Sequence, residues 1–560
     1  MLLHQPIDYH AQRRPTHPAL AAHDHHWDYA TLVSRSHAVA QLLLEAGVKP
    51  EDRVGVLGLN SAAHFAVVLG ASRVGAVTVS VNFRLAPAEL AFILDDAGID
   101  LLFVTDDSIN DIVDQTIALR DKATRLIADR ESAYRTLAQV MSQDVEPYTH
   151  GAYVDERSPA LQLYTSGTTG KPKGVQRDTG GYAVALATSM ETIFMGQPGE
   201  TYFSTSDIGW VVGHSYIVYG PLLAGMATIL YEGIPIRPDA GVWWELVQKY
   251  RVTAMFSAPT AIRVLKKYDT SFIQNHDLSS LKALFLAGEP LDEPTSRWIA
   301  QSLGRPIIDN YWQTETGWPI LTVCQGIEPA QTRLGSPGKP VYGFDVQLLS
   351  EVDGAELHEP DQKGVLVIKG PLPPGAMQTV WQDDERFVNT YWRSVPGQEV
   401  YSTFDWGVRD ADGYFYILGR TDDVINVAGH RLGTREIEES IASHAQVAEV
   451  AVVGVADSLK GQVAMAFAVL KDPGSAQDPA QALALEGELM KLVEQQLGAV
   501  ARPARIRFVT LLPKTRSGKL LRRAIQALCE GRDPGDLTTI DDPSALDQIR
   551  QHLGPAPTNE

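Results

Sequence analysis

Cysteine, positive charge and long uncharged apolar runs are all scarce in this chain of 560 residues. The two cysteines, Cys324 and Cys529, lie far apart without Cys-x-x-Cys spacing, so neither a disulfide framework nor a zinc site is indicated. The 48 basic and 68 acidic residues give a formal net charge of -20, which disfavours binding to nucleic acid or to a membrane surface. A small anionic ligand would therefore need local lysines and arginines.

Signals for membrane insertion and export are also lacking. The most apolar run, 62–81, contains Arg73, and the N-terminal sequence MLLHQPIDYH has no basic segment followed by an apolar core. We therefore expect a soluble, cytoplasmic protein. A composition of 44% hydrophobic and 21% charged residues is typical of globular proteins, and the length predicts about two to four domains or subdomains.

One stretch has the residue types that phosphate binding requires. The apolar run 160–164 leads into a loop whose hydroxyls, glycines and lysines are Thr165, Ser166, Gly167, Thr168, Thr169, Gly170, Lys171 and Lys173. Glycines let a backbone approach an anion closely, while hydroxyls, amides and lysines supply donors and charge. A Walker A loop is excluded, because it needs four residues between its glycines and only two separate Gly167 from Gly170. The alternative is a flexible surface loop.

Strand and helix patterns alternate in the first part of the chain. The runs 54–60, 76–82 and 100–105 read as strands, and 37–46, 61–75 and 87–98 read as helices. Such alternation predicts parallel strands with right-handed crossovers, that is, a doubly wound α/β fold. The apolar run 207–233 contains His214, which is either a core residue or a pocket residue.

Two further strands, within 282–292 and 305–319, each end in a polar loop. Ligands of open α/β sheets bind at the carboxyl ends of strands, so these loops predict a nucleotide pocket. Tyr311 offers a ring for stacking on a purine, Trp312 an apolar wall, and Glu315 a hard oxygen ligand for magnesium. The alternative is that both aromatic residues only pack and that Glu315 is a solvated charge.

The C-terminal part predicts a small α+β domain of about one hundred residues. A helix begins near 435, the runs 447–455 and 462–470 read as strands, 471–481 as a loop, and 485–498 as an amphipathic helix. The basic loop 512–523 contains Lys519. This loop is either a solubilising patch or a mobile element whose Lys519 meets developing negative charge.

Together, these stretches resemble the acyl-adenylate-forming (AMP-binding) superfamily in order and spacing. The matching motifs are YTSGTTGKPKG, GEP, NYWQTETG, YSTFDW, GRTDDVINVAGHRLG and PKTRSGK. From about residue 158 to 548 the chain is similar to the short-chain acyl-CoA synthetases, and to the propionate enzymes more than to the acetate enzymes. The resemblance implies a large N-terminal domain of α/β subdomains at 1–421, a small mobile α+β domain at 422–548 with its hinge at Asp422, and a disordered tail at 549–560.

The resemblance also implies two half-reactions. A carboxylate and ATP with Mg²⁺ give acyl-AMP and pyrophosphate, and the thiol of coenzyme A then gives acyl-CoA and AMP. Lys519 would be catalytic in the first step, Asp405 would bind the ribose hydroxyls with Arg420 nearby, and Arg431 would contact phosphate. The complete set implied for ATP and AMP is Thr165, Ser166, Gly167, Thr168, Thr169, Gly170, Lys171, Gly288, Glu289, Pro290, Asp309, Asn310, Tyr311, Trp312, Gln313, Thr314, Asp405, Arg420 and Arg431.

The acid and coenzyme sites follow from the same resemblance. Trp312 would close the acyl pocket, with Val211, Val212 and Ala287 as the other walls. Ala287 stands where the acetate enzymes carry valine, which leaves room for about one more methylene and favours propionate. Ala428 and Gly429 would border coenzyme A, but the arginines that hold its phosphates in acetyl-CoA synthetase have no match here. Besides Glu315, the positions Ala442, His444 and Val447 match a cation site, although His444 could simply end a helix.

Several alternatives stay open. The acid could be acetate, acrylate, butyrate or 3-hydroxypropionate, or the acyl group could pass to a carrier protein. A non-enzymatic nucleotide-binding scaffold is the third reading, against which the intact PKTRSGK loop argues. The expected partners are small-molecule substrates, with no nucleic acid and no membrane. As in relatives, Lys519 is also a candidate substrate for a lysine acetyltransferase and deacetylase.

Overall fold

The computed structural model describes residues 1–21, 26–131, 133–148, 154–165, 172–289, 291, 293–428, 430–515, 518–535, 537 and 540–553. The described residues of the first part of the chain form the strands β1 (Pro18–Ala21), β2 (His26–Asp28), β3 (Arg53–Leu57), β4 (Val77–Val81), β5 (Leu101–Val104) and β6 (Arg125–Ile127). Its helices are α1 (Gln5–Arg13), α2 (Tyr29–Glu45), α3 (Ala62–Val74), α4 (Pro87–Asp96), α5 (Asn110–Ala118) and α6 (Leu137–Met141).

In the middle of the chain, the strands among the described residues are β7 (Pro159–Thr165), β8 (Lys173–Asp178), β9 (Thr201–Ser204), β10 (Ala227–Ile229), β11 (Val252–Ser257), β12 (Ala283–Ala287), β13 (Ile307–Asn310) and β14 (Leu321–Thr322). The helices are α7 (Thr179–Thr192), α8 (Val211–Gly213), α9 (Gly220–Leu223), α10 (Val242–Tyr250), α11 (Pro259–Leu265), α12 (Ser271–Gln274) and α13 (Glu293–Leu303). A π-helical turn, His214–Tyr219, joins α8 to α9.

The strands β15 (Lys339–Pro340), β16 (Asp345–Leu349), β17 (Lys363–Lys369), β18 (Thr379–Val380), β19 (Tyr401–Arg409) and β20 (Phe415–Arg420) follow, with helix α14 (Asp384–Arg386) and a π-helical turn, Phe387–Trp392. The last part contains β21 (Ile425–Val427), β22 (His430–Leu432), β23 (Val447–Asp457), β24 (Gly461–Leu470) and β25 (Arg505–Val509). Its helices are α15 (Thr434–Ala442), α16 (Pro479–Leu497), α17 (Arg522–Cys529) and α18 (Ser544–Leu553).

Two seven-stranded sheets dominate the fold. The first has the order β18-β8-β7-β4-β3-β5-β6, and the second β13-β12-β11-β9-β10-β1-β2. Strands β3, β4 and β5 are parallel, as are β9 to β13. Every residue of β4 and of β12 is buried, because helices cover both faces of a parallel sheet.

Local sequence signals explain the crossovers in the first sheet. Ser61 caps α3 by accepting a hydrogen bond from the backbone of His64, and Gly75 ends the helix with φ +74. The resulting β3-α3-β4 unit joins two parallel strands through a helix, as a doubly wound fold requires. The predicted alternation of strands and helices is confirmed.

A four-stranded antiparallel sheet, β16-β17-β19-β20, leads into the C-terminal part. There β22, β21, β24 and β23 form a sheet, and β25 pairs with β24 in parallel. Helices α15 and α16 share one apolar cluster with this sheet, and α17 and α18 share another. We call the part up to Arg420 the N-terminal lobe and the part from Ile425 the C-terminal lobe. The predicted fold class, α/β subdomains followed by a small α+β domain, is confirmed.

Two local predictions differ from the structure. Helix α16 begins at Pro479, inside the predicted loop 471–481, because Asp478 caps it and proline suits a first helical position. Helix α18 runs to Leu553, past residue 549 where the disordered tail was predicted to begin, since Ile549 is buried against the lobe. Residues 554–560 lie outside the described residues.

Cys324 and Cys529 are free thiols, as expected. Among the described residues, none of the helices combines the length and apolar character that a membrane span needs.

Candidate active site

The ends of β12 and β13 bring two of the predicted loops together. Ala287 pairs with Asn310 in the parallel register, and the Asn310 amide donates to the Leu286 carbonyl at 3.0 Å. Gly288 has φ +102, and a Cβ added there would meet open space. The predicted nucleotide residues Gly288 and Asn310 therefore lie along one sheet edge, as expected for parallel neighbours.

A cavity of about 120 Å³ lies beside this edge, with Leu286, Leu291, Asp309 and Gly335 among its lining residues. Burial raises the pKa of Asp309 to about 7, although the charge of Arg435 from the C-terminal lobe acts in the opposite direction. Glu289 is paired with Arg263 at 3.0 Å. This end of the site is therefore partly apolar and carries one carboxyl group whose charge is poorly stabilised.

Asp405 is the centre of a buried hydrogen-bond cluster on β19. The Tyr311 hydroxyl donates to its carboxylate, and Gln313 Nε2 donates to Oδ2 at 3.0 Å. Arg420 Nη1 lies 3.5 Å from Oδ1 and also donates to the Thr403 carbonyl at 3.1 Å. Burial raises the pKa of Asp405, and Arg420 opposes that shift. Four of the predicted nucleotide residues are thus held in one network.

Glu315 belongs to a second buried cluster. Lys173 Nζ lies 2.8 Å from its carboxylate, and the Tyr391 hydroxyl donates to it at 2.8 Å. Lys173 and Tyr391 also contact each other, and the side chains of Lys173 and Glu315 are only 12% and 13% exposed. Burial acts to raise the pKa of Glu315, but Lys173 and Tyr391 outweigh it and lower that pKa to about 2. Glu315 is therefore ionised, as a hard ligand for Mg²⁺ must be.

Tyrosines that the sequence did not single out connect the two clusters. Tyr391 stacks on Tyr401, with ring centroids 5.6 Å apart and planes 12° apart. The Tyr401 hydroxyl donates to Gln313 Oε1 at 3.2 Å. Tyr391 lies in the run NTYW, which carries no motif, so only the three-dimensional structure reveals its contact with Glu315.

Lys519 reaches this region from the C-terminal lobe. Its loop is closed by hydrogen bonds between Thr515 and Lys519, at 2.8 and 3.1 Å. Desolvation in the cleft lowers the pKa of the Lys519 ammonium; Glu315 acts against that shift, and Arg420 and Lys173 act with it. The residue as a whole is exposed to solvent. Its ammonium is therefore within electrostatic reach of both clusters.

The predicted acyl pocket lies against the main core. Ala287, Val212 and Trp312 all belong to, or pack against, the same apolar cluster, and Val211 begins α8 beside them. The Trp312 ring stands edge-on to the buried ring of Tyr216, with centroids 5.5 Å apart. The Trp312 side chain is therefore packed rather than free, and its role as a wall of the acyl pocket stays a prediction.

His214, which begins the π-helical turn, is buried. Burial and the charge of Arg177 lower the pKa of His214 to about 3. It is a neutral core residue, which was one of the two readings of the sequence.

The remaining predicted residues have contacts of their own. Arg431 pairs with Glu351 of the N-terminal lobe, Asp422 pairs with Arg420 at 3.7 Å and with Arg523, and Ala428 has φ +50. The His444 ring lies 3.2 Å from Glu488, and its carbonyl accepts from Val447 at 3.1 Å. The described residues contain no group of three acidic, histidine or cysteine side chains suited to a metal. The phosphate-contact, hinge, coenzyme and cation roles stay predictions.

Other positions complete the set. Thr165 ends β7, and Thr314 is half-buried in the loop after β13. Ser166, Gly167, Thr168, Thr169, Gly170, Lys171, Pro290 and Gly429 lie outside the described residues.

Comparison with known proteins identifies the family. The model of the AMP-binding enzyme family matches residues 7–381, and that of the AMP-binding enzyme C-terminal domain matches residues 436–519. The chain belongs to the AMP-binding enzyme family. It is 54% identical to the propionate–CoA ligase of Escherichia coli (strain K12), over 99% of this chain and 91% of that protein. It is 37% identical to the acetyl-coenzyme A synthetase of Pyrobaculum arsenaticum, over 90% of this chain and 77% of that protein.

A solved structure shows the same fold. The acetoacetyl-CoA synthetase from Streptomyces lividans superimposes with a TM-score of 0.88 at 22% identity, over 99% of this chain and 86% of that chain. At this identity the likeness shows the AMP-binding fold alone.

Proposed function

We propose that this protein is an ATP-dependent short-chain acyl-CoA synthetase, which converts propionate, ATP and coenzyme A to propionyl-CoA, AMP and pyrophosphate. The observation that carries the proposal is the buried network that joins Asp405, through Gln313, Tyr401 and Tyr391, to Glu315. Lys519 of the C-terminal lobe interacts electrostatically with Glu315. The 54% identity to a propionate–CoA ligase supports the choice of reaction and acid.

In the first half-reaction, a carboxylate oxygen of propionate attacks the α-phosphorus of ATP, and the bond to pyrophosphate breaks. Asp405 holds the ribose hydroxyls, and Tyr311 lies against the purine. Lys519 places its ammonium beside the oxygens whose charge grows in the transition state. Glu315 would hold Mg²⁺, which would supply positive charge to the phosphate oxygens.

In the second half-reaction, the sulfur of coenzyme A attacks the acyl carbon, the bond to AMP breaks, and the thiol proton is released. Ala428 and the adjacent Gly429 are the proposed neighbours of the coenzyme arm. A turn of the C-terminal lobe about Asp422 would exchange Lys519 for this segment.

The proposed pocket explains the size of the acid. Trp312 is fixed against Tyr216, so long acids have no room, while Ala287 leaves space for the methyl end of propionate. One methylene contributes only about 1–3 kcal/mol of discrimination, so acetate and butyrate are poorer substrates rather than excluded ones. The acetyl-coenzyme A synthetase relative makes acetate the second candidate.

Lys519 also offers a point of control. Acetylation by a lysine acetyltransferase would remove its charge and stop the first half-reaction, and a deacetylase would restore it. We propose this partner class only as a consequence of the assigned role of Lys519.

The test separates the two steps. Purified protein with ATP, Mg²⁺ and propionate should release pyrophosphate, and addition of coenzyme A should then yield AMP and propionyl-CoA. Acids of two to six carbons, compared by kcat/KM, should show a maximum at three. ATP left unchanged by every small acid would overturn the proposal, whereas a maximum at two carbons would favour the acetate reaction.

A further inference from the structure

Two ion pairs join the lobes. Arg431 of β22 pairs with Glu351, and Glu436 of α15 pairs with Lys363 at 2.6 Å. Glu351 and Lys363 stand at the same end of the β16–β17 hairpin, since Leu349 pairs with Val365. One end of the β16–β17 hairpin therefore makes two ion pairs with the C-terminal lobe.

The contact between Arg431 and Glu351 has the stronger geometry. Arg431 Nε lies 2.7 Å from Oε2, and Nη2 donates to Oε1 at 2.8 Å. This is a bidentate pair of the kind that arginine also makes with phosphate. The Glu351 side chain is only 18% exposed, so solvent screens the pair less than it would a fully exposed one. While Glu351 fills the guanidinium fork, Arg431 cannot hold another anion in the same way.

Hydrogen bonds to backbone carbonyls support the same orientation of the lobes. Arg435 of α15 donates to the Ile417 carbonyl at 2.5 Å and to the Gly335 carbonyl at 3.5 Å. These bonds, with the two ion pairs, fix the beginning of the C-terminal lobe on the N-terminal lobe. The loop of Lys519 belongs to the same lobe. The distance between Lys519 and Glu315 therefore depends on these contacts between the lobes.

We propose that Glu351 and Lys363 form a docking clamp that holds the C-terminal lobe in the orientation presenting Lys519 to the nucleotide site. The proposal rests on the proposed function. Glu351 acts through Arg431, and Lys363 acts through Glu436, so both are positioning residues. The clamp must open before Arg431 can bind any anion other than Glu351. The clamp therefore acts in the first half-reaction, in which Lys519 faces the nucleotide site.

The two half-reactions provide the test. In Glu351→Gln, the shape remains but the charge is lost. Pyrophosphate release from ATP and propionate should fall about threefold to tenfold, which is the size expected for one partly exposed charged pair. Formation of propionyl-CoA from supplied propionyl-AMP and coenzyme A should be unchanged or faster. Lys363→Gln should change the two rates in the same directions.

Matched measurements exclude a merely structural effect. Glu356→Gln, on the same hairpin, removes only a contact with His358 inside the N-terminal lobe and should change neither rate. Higher salt should lower pyrophosphate release in the wild type more than in Glu351→Gln, because the pair is electrostatic. An equal fall of both half-reactions, or no change in either, would overturn the clamp.

Small-angle X-ray scattering measures the relative orientation of the lobes and does not depend on turnover. The wild type should fit the present orientation, and Glu351→Gln should show a broader distribution of lobe positions. If the wild type turned over no acid but the scattering changed as expected, the proposed function would fail and the clamp would stand. Identical scattering of both proteins would refute the clamp.

Discussion

Replacement of Trp312 by alanine should widen the range of acids that the enzyme uses. The Trp312 ring stands edge-on to Tyr216 with centroids 5.5 Å apart, and Tyr216 is fully buried. When the indole is removed, the Tyr216 ring becomes the new apolar end of the pocket. The added space lies next to a ring that remains fixed by its other neighbours, among them Phe194 and Phe256.

The expected magnitude follows from the acid that would fill this space. Hexanoate has three more methylenes than propionate, and burial of each methylene contributes about 0.8 kcal/mol. The full gain is about 2.4 kcal/mol, which corresponds to a factor of about 60 in kcat/KM. The ratio of hexanoate to propionate activity should therefore rise by up to about 60-fold in Trp312→Ala.

The assay is acid-dependent pyrophosphate release at saturating ATP, with acids of two to six carbons. Trp298→Ala is the matched control, because Trp298 is also half-buried but packs against a different apolar cluster, which includes Trp243 and Ile299. Thermal melting checks that both variants are folded, since loss of a packed tryptophan costs stability. If Trp312→Ala is folded and active on propionate but still rejects hexanoate, Trp312 does not close the acyl pocket.

Two further predictions concern buried carboxyl groups. Asp405→Asn should lower kcat/KM for ATP about 10- to 100-fold, because hydrogen bonds to a charged group contribute about 1.5–3 kcal/mol. The measurement is pyrophosphate release over a range of ATP concentrations. Asp412→Asn, at the surface, is the control and should leave kcat/KM unchanged. The pKa of Asp309 is about 7 against an ordinary 3.8, so the native state keeps a proton that the unfolded chain loses, and wild-type stability falls as pH rises between those values. The melting temperature of Asp309→Asn, relative to the wild type, should therefore rise from pH 5 to pH 8, and a constant difference would contradict the assignment.

Local sequence predicted the sheet edge that carries the site. The runs around Ala283–Ala287 and Ile307–Asn310 are apolar, short and ended by polar loops, which is the pattern of parallel strands with ligand groups at their ends. For the same reason the proximity of Gly288 to Tyr311 followed from the pattern alone. Their chemical roles came from the family resemblance, not from periodicity.

Contacts between distant parts of the chain carried no such signal. The hydroxyl of Tyr391 reaches Glu315 across 76 positions and Lys173 across 218. The pair between Arg431 and Glu351 likewise spans 80 positions. Such contacts depend on how sheets and lobes pack, which neither residue type nor spacing determines. The start of α16 was missed for a different reason, because a Pro-containing polar stretch reads as a loop until Asp478 is seen to cap it.

The most direct test of the account is Lys519→Ala, measured in each half-reaction separately. Pyrophosphate release from ATP and propionate should fall by at least about 100-fold, the usual cost of losing one charge-stabilising group. Transfer from supplied propionyl-AMP to coenzyme A should stay near the wild-type rate. Lys514→Ala is the control, since Lys514 lies in the same loop but pairs with Glu449 at 2.7 Å. Equal loss of both half-reactions in Lys519→Ala, or normal pyrophosphate release, would contradict the role of Lys519.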